Sequence, residues 1–484
     1  MSPPPFKTYA AALSKGAEID LVIEKLAFGG KALGRVDGFV VFVDHALPGQ
    51  KVRVRLNRKK SKFAEARVIQ TLEQSPAYTP PFCRHFGLCG GCQWQDLSYE
   101  EQLRWKQVQV QECLQHLAGL SPQDLLPPVA SPQQRYYRNK MEFTFAPRSF
   151  EEPQATSIPD RGGCALGLHV RDSCHRIFNV EQCLLQSPQS PAIVGAGRDW
   201  CGASGLPAYD TRTQQGFWRF LVIREGKGTG QTLAHLITYA QGDPAAVEAL
   251  AAHLASGFPQ ITTFVHSVSR KKAQVAVGEA SRTLFGPGYI EEQLGALRLR
   301  VSAQTFLQTN TAAAANLYEA IRRLGGFTGR ETVWDLYCGA GSIALSLAPQ
   351  VRRVVGFELD PAAVQDARIN SRLNGLDNCD FLAGDLKERL GEVQRAGSRL
   401  HAEPRPEVVI ADPPRAGLHP QVVRALLALA PLRLIYVSCN PATLARDLAL
   451  LKEQYEILSL QPFDLFPHTS HIECLAHLTR RHRI

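Results

Sequence analysis

The feature that most constrains the fold is a regular alternation of apolar strand-like runs and helix-like segments that begins near Ala303. Such alternation favours an α/β fold with a parallel, doubly wound sheet, because crossover helices cover both of its faces. Ligands of these sheets bind outside the carboxyl ends of the strands. The residues that follow each predicted strand are therefore the first candidates for a functional site.

The first of these strand ends carries a glycine turn. Thr332–Leu336 is predicted as a strand, and the turn Tyr337-Cys-Gly-Ala-Gly-Ser342 leads from it into a helix. Glycines let the backbone approach a ligand closely, and the N–H groups at the start of a helix point towards that ligand. The next strand ends in Glu358, roughly twenty residues on, the separation at which an acid accepts hydrogen bonds from ribose hydroxyls.

The glycine turn fits S-adenosylmethionine better than a dinucleotide. The fuller G-x-G-x-x-G pattern that binds a pyrophosphate is absent from the turn. The third predicted strand, 379–385, ends in Asp385, which we expect to face the adenine of the cofactor. The fourth ends in Asp412-Pro-Pro-Arg415. Enzymes that methylate amino groups usually have an aromatic residue where Arg415 stands, which argues against N-methylation.

The fifth strand end offers a nucleophile. It carries Ser438-Cys-Asn-Pro441, and the thiol of Cys439 is far more nucleophilic than an alcohol. Uracil C5 becomes a carbon nucleophile once a thiolate has added to C6, and a base must afterwards remove the C5 proton. Glu473 is the best candidate for that base, with His468 and His471 as alternatives.

The N-terminal part of the chain predicts a small antiparallel barrel. Short strand-like runs at 21–23, 39–43, 51–56 and 64–69 are separated by glycine, proline and lysine turns. Between Lys51 and Arg67 there are eight basic side chains and one acid. Alternating Lys and Arg would line one face of a strand and form a track for phosphates. The alternative is a solvated edge strand protected by lysines.

Three cysteines close in sequence point to a metal site. Cys83, Cys89 and Cys92 are followed by a predicted helix at 99–117. Zinc could recruit His85 as a fourth ligand, whereas an iron–sulfur cluster would need a fourth thiolate from elsewhere. The region from about 136 to 300 has a mixed pattern, in which we expect a loop at 194–207.

The totals fit a multidomain protein with a polyanionic partner. A chain of 484 residues is too long for one core, and its net charge of +9 favours nucleic acid. No apolar run is long enough for a membrane helix, and the first residues lack a secretory core. We therefore expect a cytoplasmic protein whose twelve cysteines are thiols or metal ligands.

Together these motifs resemble those of the RNA uracil-C5 methyltransferases, in particular the branch that modifies 23S ribosomal RNA. The resemblance covers nearly the whole chain, and its N-terminal part resembles a TRAM domain. It implies that Cys439 is the nucleophile and Glu473 the proton acceptor. Tyr337 and Ser342 depart from the commoner Phe and Asn of the family. The residues implied to contact S-adenosylmethionine are Gln308 of the F-x-Q-x-N motif, Tyr337, Ser342, Glu358, Asp385 and Asp412.

The same resemblance implies a [4Fe-4S] cluster. Its ligands would be Cys83, Cys89, Cys92 and Cys183, with Cys174 as a rival for the fourth position. Because methylation of uracil is redox-neutral, a cluster would have a structural role or help to fold RNA into the site.

We expect three units with RNA as the partner and with neither a membrane nor an obligate protein partner. They are a TRAM-like, OB-like barrel (15–76), a central α/β iron–sulfur region (77–300) and a Rossmann-like methyltransferase domain (301–484). Helix 99–117 would pack on the methyltransferase domain. One alternative is methylation of the T-loop of transfer RNA, and another is a non-catalytic RNA-binding iron–sulfur protein.

Overall fold

A computed structural model describes residues 13–120, 125–150, 164–239, 242–392 and 405–481. The N-terminal strands close into a five-stranded barrel in the order β1-β2-β3-β5-β4. The prediction of an antiparallel barrel is wrong for one pair, since β3 and β5 are parallel. Four of the five strands include the predicted runs, whereas β2 was missed because it has only five residues and contains a glycine. The strands are β1 (Glu18–Leu26), β2 (Ala32–Val36), β3 (Phe39–Asp44), β4 (Lys51–Lys59) and β5 (Phe63–Glu73).

The barrel interior follows from the two-residue period of its strands. In β4, Val52, Val54 and Leu56 are buried, while Arg53 and Arg55 between them point into solvent. The predicted basic face therefore exists. Its cations are partly neutralised, because the guanidinium of Arg53 lies 2.7 Å from Asp20 and that of Arg55 2.7 Å from Glu18, both on β1.

The cysteine segment and helix α1 (Tyr99–Cys113) follow the barrel, and α1 continues into one π-helical turn, Leu114–Ala118. A central sheet then has the order β12-β11-β10-β9-β6-β7-β8. Its strands are β6 (Lys140–Ala146), β7 (Ala165–His169), β8 (Ile177–Asn179), β9 (Trp218–Glu225), β10 (Thr232–Thr238), β11 (Ile261–Val268) and β12 (Ala280–Phe285).

The loop expected at 194–207 is wrong over most of its length. Helix α2 (Gln189–Ala203) occupies it and buries Ile193, Val194, Gly197 and Cys201, which share one helical face. Glycines and small residues in this segment weaken the helical pattern that packing against the sheet then enforces. Helix α3 (Pro244–Gly257) and the hairpin β13 (Tyr289–Leu294) and β14 (Leu297–Ser302) complete the region.

The C-terminal sheet has the order β17-β16-β15-β18-β19-β21-β20. Neighbours from β17 to β19 are parallel, and β21 pairs antiparallel with both β19 and β20. This confirms the predicted α/β class. The strands are β15 (Thr332–Leu336), β16 (Arg353–Glu358), β17 (Cys379–Ala383), β18 (Val408–Ala411), β19 (Arg433–Ser438), β20 (Tyr455–Phe463) and β21 (Glu473–Arg480).

Helices cover both faces of this sheet. They are α4 (Thr311–Gly325), α5 (Ser342–Leu347), α6 (Pro361–Leu373), α7 (Leu386–Glu392), α8 (Pro420–Leu429) and α9 (Pro441–Leu451). Val333 of β15 faces one apolar core with α4 and α5, and the next residue, Trp334, faces the other with α8 and α9. Helix α1 joins this second core through Val110 and Leu114. No helix in the described ranges is long and apolar enough to span a membrane.

Candidate active site

A cavity of about 870 Å³ opens at the carboxyl ends of the parallel strands. It brings together all eight candidate catalytic and cofactor-binding residues, which come from five strand ends, the start of β21, a helix start and the F-x-Q-x-N motif. They are Gln308, Tyr337, Ser342, Glu358, Asp385, Asp412, Cys439 and Glu473.

The glycine turn and the second strand end form one side of the cavity. The carboxylate of Glu358 accepts hydrogen bonds from the backbone N–H of Gly339 at 3.0 Å and of Asp360 at 2.9 Å. The hydroxyl of Ser342 lies 2.8 Å from that of Tyr318 on α4. Tyr318 also lines the cavity, and nothing in its sequence context distinguished it from an ordinary buried helix residue. Room for a nucleoside beside a fixed acid fits S-adenosylmethionine.

The two polar residues of the F-x-Q-x-N motif, Gln308 and Asn310, have different roles. The amide of Gln308 donates to Asp412 Oδ2 at 3.4 Å. The Asn310 side chain instead caps α4 by accepting from the N–H of Ala313 at 3.1 Å, and it donates to the carbonyl of Leu465. Gln308 therefore faces the cavity, whereas Asn310 joins the start of α4 to the chain segment before Glu473.

The half-buried carboxyl of Asp412 and the buried carboxyl of Glu473 line the same cavity. Burial raises the pKa of Asp412 to about 7, although its hydrogen bond with Gln308 lowers it. Burial, and then the charge of Asp412, hold the pKa of Glu473 well above its ordinary value, while Arg415 opposes them. Glu473 is 2% exposed and its Oε1 has no hydrogen-bond partner. A buried acceptor without a donor is suited to take up a proton.

Cys439 lies where β19 turns into α9. Asn440 caps α9 by accepting from the N–H groups of Ala442 and Thr443, so the thiol is fixed between a strand and a helix start. Burial is the largest cause that raises the pKa of Cys439, followed by the charges of Glu473 and Asp412, while Arg415 lowers it. Together these effects bring the pKa of Cys439 to about 11. The thiol is therefore protonated in the free site near neutral pH.

Arg415 is a cation of the cavity that acts on both Cys439 and Glu473. Its guanidinium lies 2.9 Å from Nδ1 of His471, and its backbone carbonyl accepts a hydrogen bond from Asn440 at 3.0 Å. His471 lines the cavity, whereas His468 does not. Burial lowers the pKa of each of these histidines to about 4, so both are weak bases. The geometry thus favours Glu473 over its two histidine alternatives.

The loop at residues 464–472 connects β20 to Glu473, and we call it the base loop because Glu473 is the candidate base. Asp464 at its start forms a fully buried ion pair with Lys106 of α1, with Nζ and Oδ1 2.6 Å apart. The hydroxyl of Tyr99 donates to the other oxygen of Asp464 at 2.8 Å, and Lys106 also donates to the carbonyl of Phe466. Helix α1 is therefore part of the frame of the site.

The four candidate metal-binding cysteines do not line the cavity. Cys183 raises the pKa of Cys83, Cys89 and Cys92, although burial is the largest cause for each of the three. These four thiols are therefore neighbours, whereas Cys174 is exposed beside a different cavity. Within the described ranges no group of three or more His, Cys, Asp or Glu side chains able to hold a metal ion is found.

His85, the alternative zinc ligand, is already in use. Its Nε2 accepts hydrogen bonds from the backbone N–H groups of Glu181 at 3.2 Å and Gln182 at 3.4 Å. These two hydrogen bonds fix the turn that precedes Cys183. They also use the lone pair of His85 Nε2, which is then not available to a metal ion.

Comparison with known proteins agrees with this geometry. Residues 268–481 match the tRNA (Uracil-5-)-methyltransferase family, and residues 13–69 match the TRAM domain. A protein of Nitratidesulfovibrio vulgaris described as an uncharacterized RNA methyltransferase is 42% identical over 97% of both chains. A protein of Porphyromonas gingivalis with the same description is 40% identical and covers 95% of this chain and 99% of its own.

A solved structure shares the whole architecture. The tRNA (uracil-54, C5)-methyltransferase of Pyrococcus abyssi, in complex with S-adenosyl-L-homocysteine, superposes with a TM-score of 0.71 at 26% identity. The match covers 95% of this chain and 100% of that one. Fold and site together define an S-adenosylmethionine-dependent RNA methyltransferase. The chain belongs to the tRNA (uracil-5-)-methyltransferase family and carries an N-terminal TRAM domain.

Proposed function

We propose that the protein methylates C5 of a specific uridine in 23S ribosomal RNA, with Cys439 as nucleophile and Glu473 as base. The observation that carries this proposal is the single cavity that both residues share with the acids expected to hold the cofactor. A thiol and a buried carboxyl beside a nucleoside site supply what the chemistry of uracil C5 requires. The uridine must leave its stack to reach them.

The mechanism begins at sulfur. The Cys439 thiol first loses its proton to solvent. The resulting thiolate adds to C6 of the uracil, which forms a carbon–sulfur bond and moves an electron pair towards C5 as an enolate. S-adenosylmethionine, when bound, supplies the methyl group that C5 takes up. The Glu473 carboxylate then accepts the C5 proton, the electron pair of that C–H bond restores the C5–C6 double bond, and Cys439 leaves as a thiolate.

The electrostatics of the site support this order of steps. Negative charge on Glu473 raises the pKa of Cys439, so addition is easiest while the carboxyl is neutral. Once sulfur is bound to C6 it carries no charge, and the carboxyl can ionise without facing a thiolate. The two charges are thus needed at different times, and a shared cation, Arg415, lowers the pKa of both groups.

A uridine in transfer RNA is the second candidate substrate. It is favoured by the similarity to the Pyrococcus abyssi enzyme, whose name specifies uracil-54 of tRNA. Since that match covers 95% of this chain, the barrel and the cysteine segment do not by themselves distinguish a ribosomal from a transfer RNA substrate.

The test is nucleoside-resolved mass spectrometry of unmodified 23S RNA and unmodified tRNA after incubation with S-adenosylmethionine and protein. We expect 5-methyluridine in 23S RNA with the wild type and none with Cys439→Ala. Product in tRNA alone would keep the chemistry and replace the substrate. Product formed equally by Cys439→Ala would overturn the proposed nucleophile.

We also propose that Cys83, Cys89, Cys92 and Cys183 hold a [4Fe-4S] cluster with a structural role. The effect of Cys183 on the pKa values of Cys83, Cys89 and Cys92 supports a four-thiol site. A zinc ion would draw its sulfur ligands to within about 4 Å of one another, whereas a four-iron cluster spaces them more widely. None of the twelve cysteines forms a disulfide, which supports a reducing compartment such as the cytoplasm.

A further inference from the structure

Outside the cavity, the base loop forms hydrogen bonds with the segment that directly follows Cys92. The carbonyl of His468 accepts hydrogen bonds from the backbone N–H groups of Gln93 at 3.0 Å and Trp94 at 3.1 Å. The side-chain oxygen of Gln93 accepts from the N–H of Ser470 at 3.2 Å. Gln93 directly follows Cys92, so the loop that bears three of the thiols is joined to the loop that bears the proposed base.

Gln102 of α1 also contacts His468. Its Oε1 accepts from the backbone N–H of His468 at 2.8 Å, and its Nε2 lies 3.2 Å from Nδ1 of that histidine. The same Nε2 donates to the carbonyls of Trp94 and Leu97, both at 2.8 Å. One buried amide, 1% exposed, thereby joins three segments of the chain.

The residue held in this way is conformationally strained. His468 has a φ of 65°, a left-handed backbone conformation that side-chain-bearing residues seldom adopt. Such a conformation persists only where its surroundings over-determine it. Here the N–H, the carbonyl and the ring of His468 are each engaged by Gln102, Gln93 or Trp94. Five residues later the chain reaches Glu473 and enters β21.

We infer that Gln102 and Gln93 are positioning residues that hold His468 in its left-handed conformation and thereby fix the carboxyl of Glu473 against the C5 proton of the substrate. The inference rests on the proposed function, since it assigns to Glu473 the final elimination. Neither glutamine lines the cavity, so each acts through the base loop. Their effect falls on one step, the loss of the C5 proton, and leaves cofactor binding and thiolate addition intact.

A delayed final step has a distinct signature. If C5 keeps its proton, the Cys439 sulfur cannot leave, and enzyme and methylated RNA remain joined by the C6–sulfur bond. We therefore expect Gln102→Met to accumulate a denaturation-resistant RNA–protein adduct. Its turnover should fall by on the order of tenfold to a hundredfold, because misplacing a catalytic group by an ångström has an effect of that size. Binding of S-adenosylmethionine should stay at the wild-type level.

The helix supplies a matched control. Gln109 lies two helical turns further along α1, is likewise 1% exposed, and donates to the carbonyls of Leu26 and Ala27 in the barrel instead of to the base loop. Gln109→Met removes a comparable buried amide and should give no excess adduct. Gln93→Ala, at a half-buried position that a folded protein tolerates, should show a weaker form of the Gln102→Met effect.

The experiment resolves RNA–protein adduct and released 5-methyluridine over time on denaturing gels, with wild type, the three variants and Glu473→Gln. Adduct that builds up in Gln102→Met, Gln93→Ala and Glu473→Gln, but not in Gln109→Met, supports the inference. Wild-type kinetics in both Gln102→Met and Gln93→Ala would overturn it, as would equal adduct in Gln109→Met. Failure of Glu473→Gln to accumulate adduct would instead overturn the proposed base.

Discussion

At the scale of single residues, Arg415 and Asp412 have opposite effects on the pKa values of Cys439 and Glu473. Arg415 lowers the pKa of both Cys439 and Glu473, whereas Asp412 raises both. Because burial is the first cause of the raised pKa in each group, the free cavity favours their protonated forms. The proposed reaction needs each of them deprotonated once, so we expect the balance between Arg415 and Asp412 to set the pH at which methylation begins.

Arg415→Met tests this balance. Removal of the guanidinium should raise the pKa values of Cys439 and Glu473, so the rising limb of the rate against pH moves to higher pH. Single-turnover methylation at neutral pH should fall by about tenfold for each unit of that movement and recover in alkaline buffer. Arg415→Lys keeps the charge and should keep the profile. A loss of rate that is equal at every pH would contradict the electrostatic role.

The proposed cluster ligands can be separated one residue at a time. Cys183 acts on the three clustered thiols, whereas Cys174 is exposed beside another cavity. We expect Cys183→Ser to lose most of its bound iron and the visible absorption of a cluster, and Cys174→Ser to retain both. The measurement is iron and acid-labile sulfide per protein after anaerobic purification. Iron loss confined to Cys174→Ser would reverse the assignment.

At the scale of elements, α1 connects regions that are distant in sequence. Its Lys106 is buried with Asp464 of the base loop, 358 residues later in the chain. Burial lowers the pKa of Lys106, and the charge of Asp464 opposes that change. A buried ion pair contributes little beyond an apolar replacement, but removal of one partner leaves an uncompensated charge.

Lys106→Met should therefore destabilise the protein by about 3 kcal/mol or more. The measurement is the shift in the midpoint of urea-induced unfolding. Arg104→Met is the matched control, because this exposed side chain of α1 forms its salt bridge with Glu101 of the same helix, and exposed pairs contribute about 1 kcal/mol or less. The double variant Lys106→Met with Asp464→Asn should recover part of the loss. Equal shifts for Lys106→Met and Arg104→Met would show that loss of a partner from the buried pair destabilises the protein no more than loss of one from an exposed pair.

Strand ends were predictable from the sequence because parallel strands in a covered sheet are continuous apolar runs. Thr332–Leu336 is buried throughout, and the polar residues that follow such strands mark the edge where ligands bind. Helix α2 and strand β2 were missed because glycines and short length obscure their periods. In those elements, contacts with the sheet or the barrel outweigh local preference.

The frame around the site could not be predicted. Gln102 and His468 are 366 residues apart, and neither residue type nor spacing indicates that one amide fixes the other's backbone. Tyr318 and its bond to Ser342 likewise arise from the packing of α4 on α5. Motif residues are recognisable because their chemistry restricts them, whereas a buried amide in a helix has many possible partners.

At the scale of the whole molecule, positive charge is distributed unevenly on the barrel. Arg53 and Arg55 on β4 are matched by Asp20 and Glu18, so this face offers RNA little net charge. The end of β4 and the turn that follows it are different, since Arg58, Lys60 and Lys62 are all exposed there. The predicted phosphate track is therefore limited to these three cations, which would bind RNA mainly through its phosphate backbone.

Replacement of Arg58, Lys60 and Lys62 by Ala should reduce the salt dependence of RNA binding, with little effect on turnover at saturating RNA. Each phosphate contact on single-stranded RNA contributes about 0.7 to the slope of log affinity against log salt, so the slope should fall by about 2. The measurement is fluorescence anisotropy across a salt series. Removal of Arg53, Arg55, Asp20 and Glu18 together leaves the net charge unchanged and should leave the slope unchanged. A larger drop in that control would move the RNA track onto the face of β4.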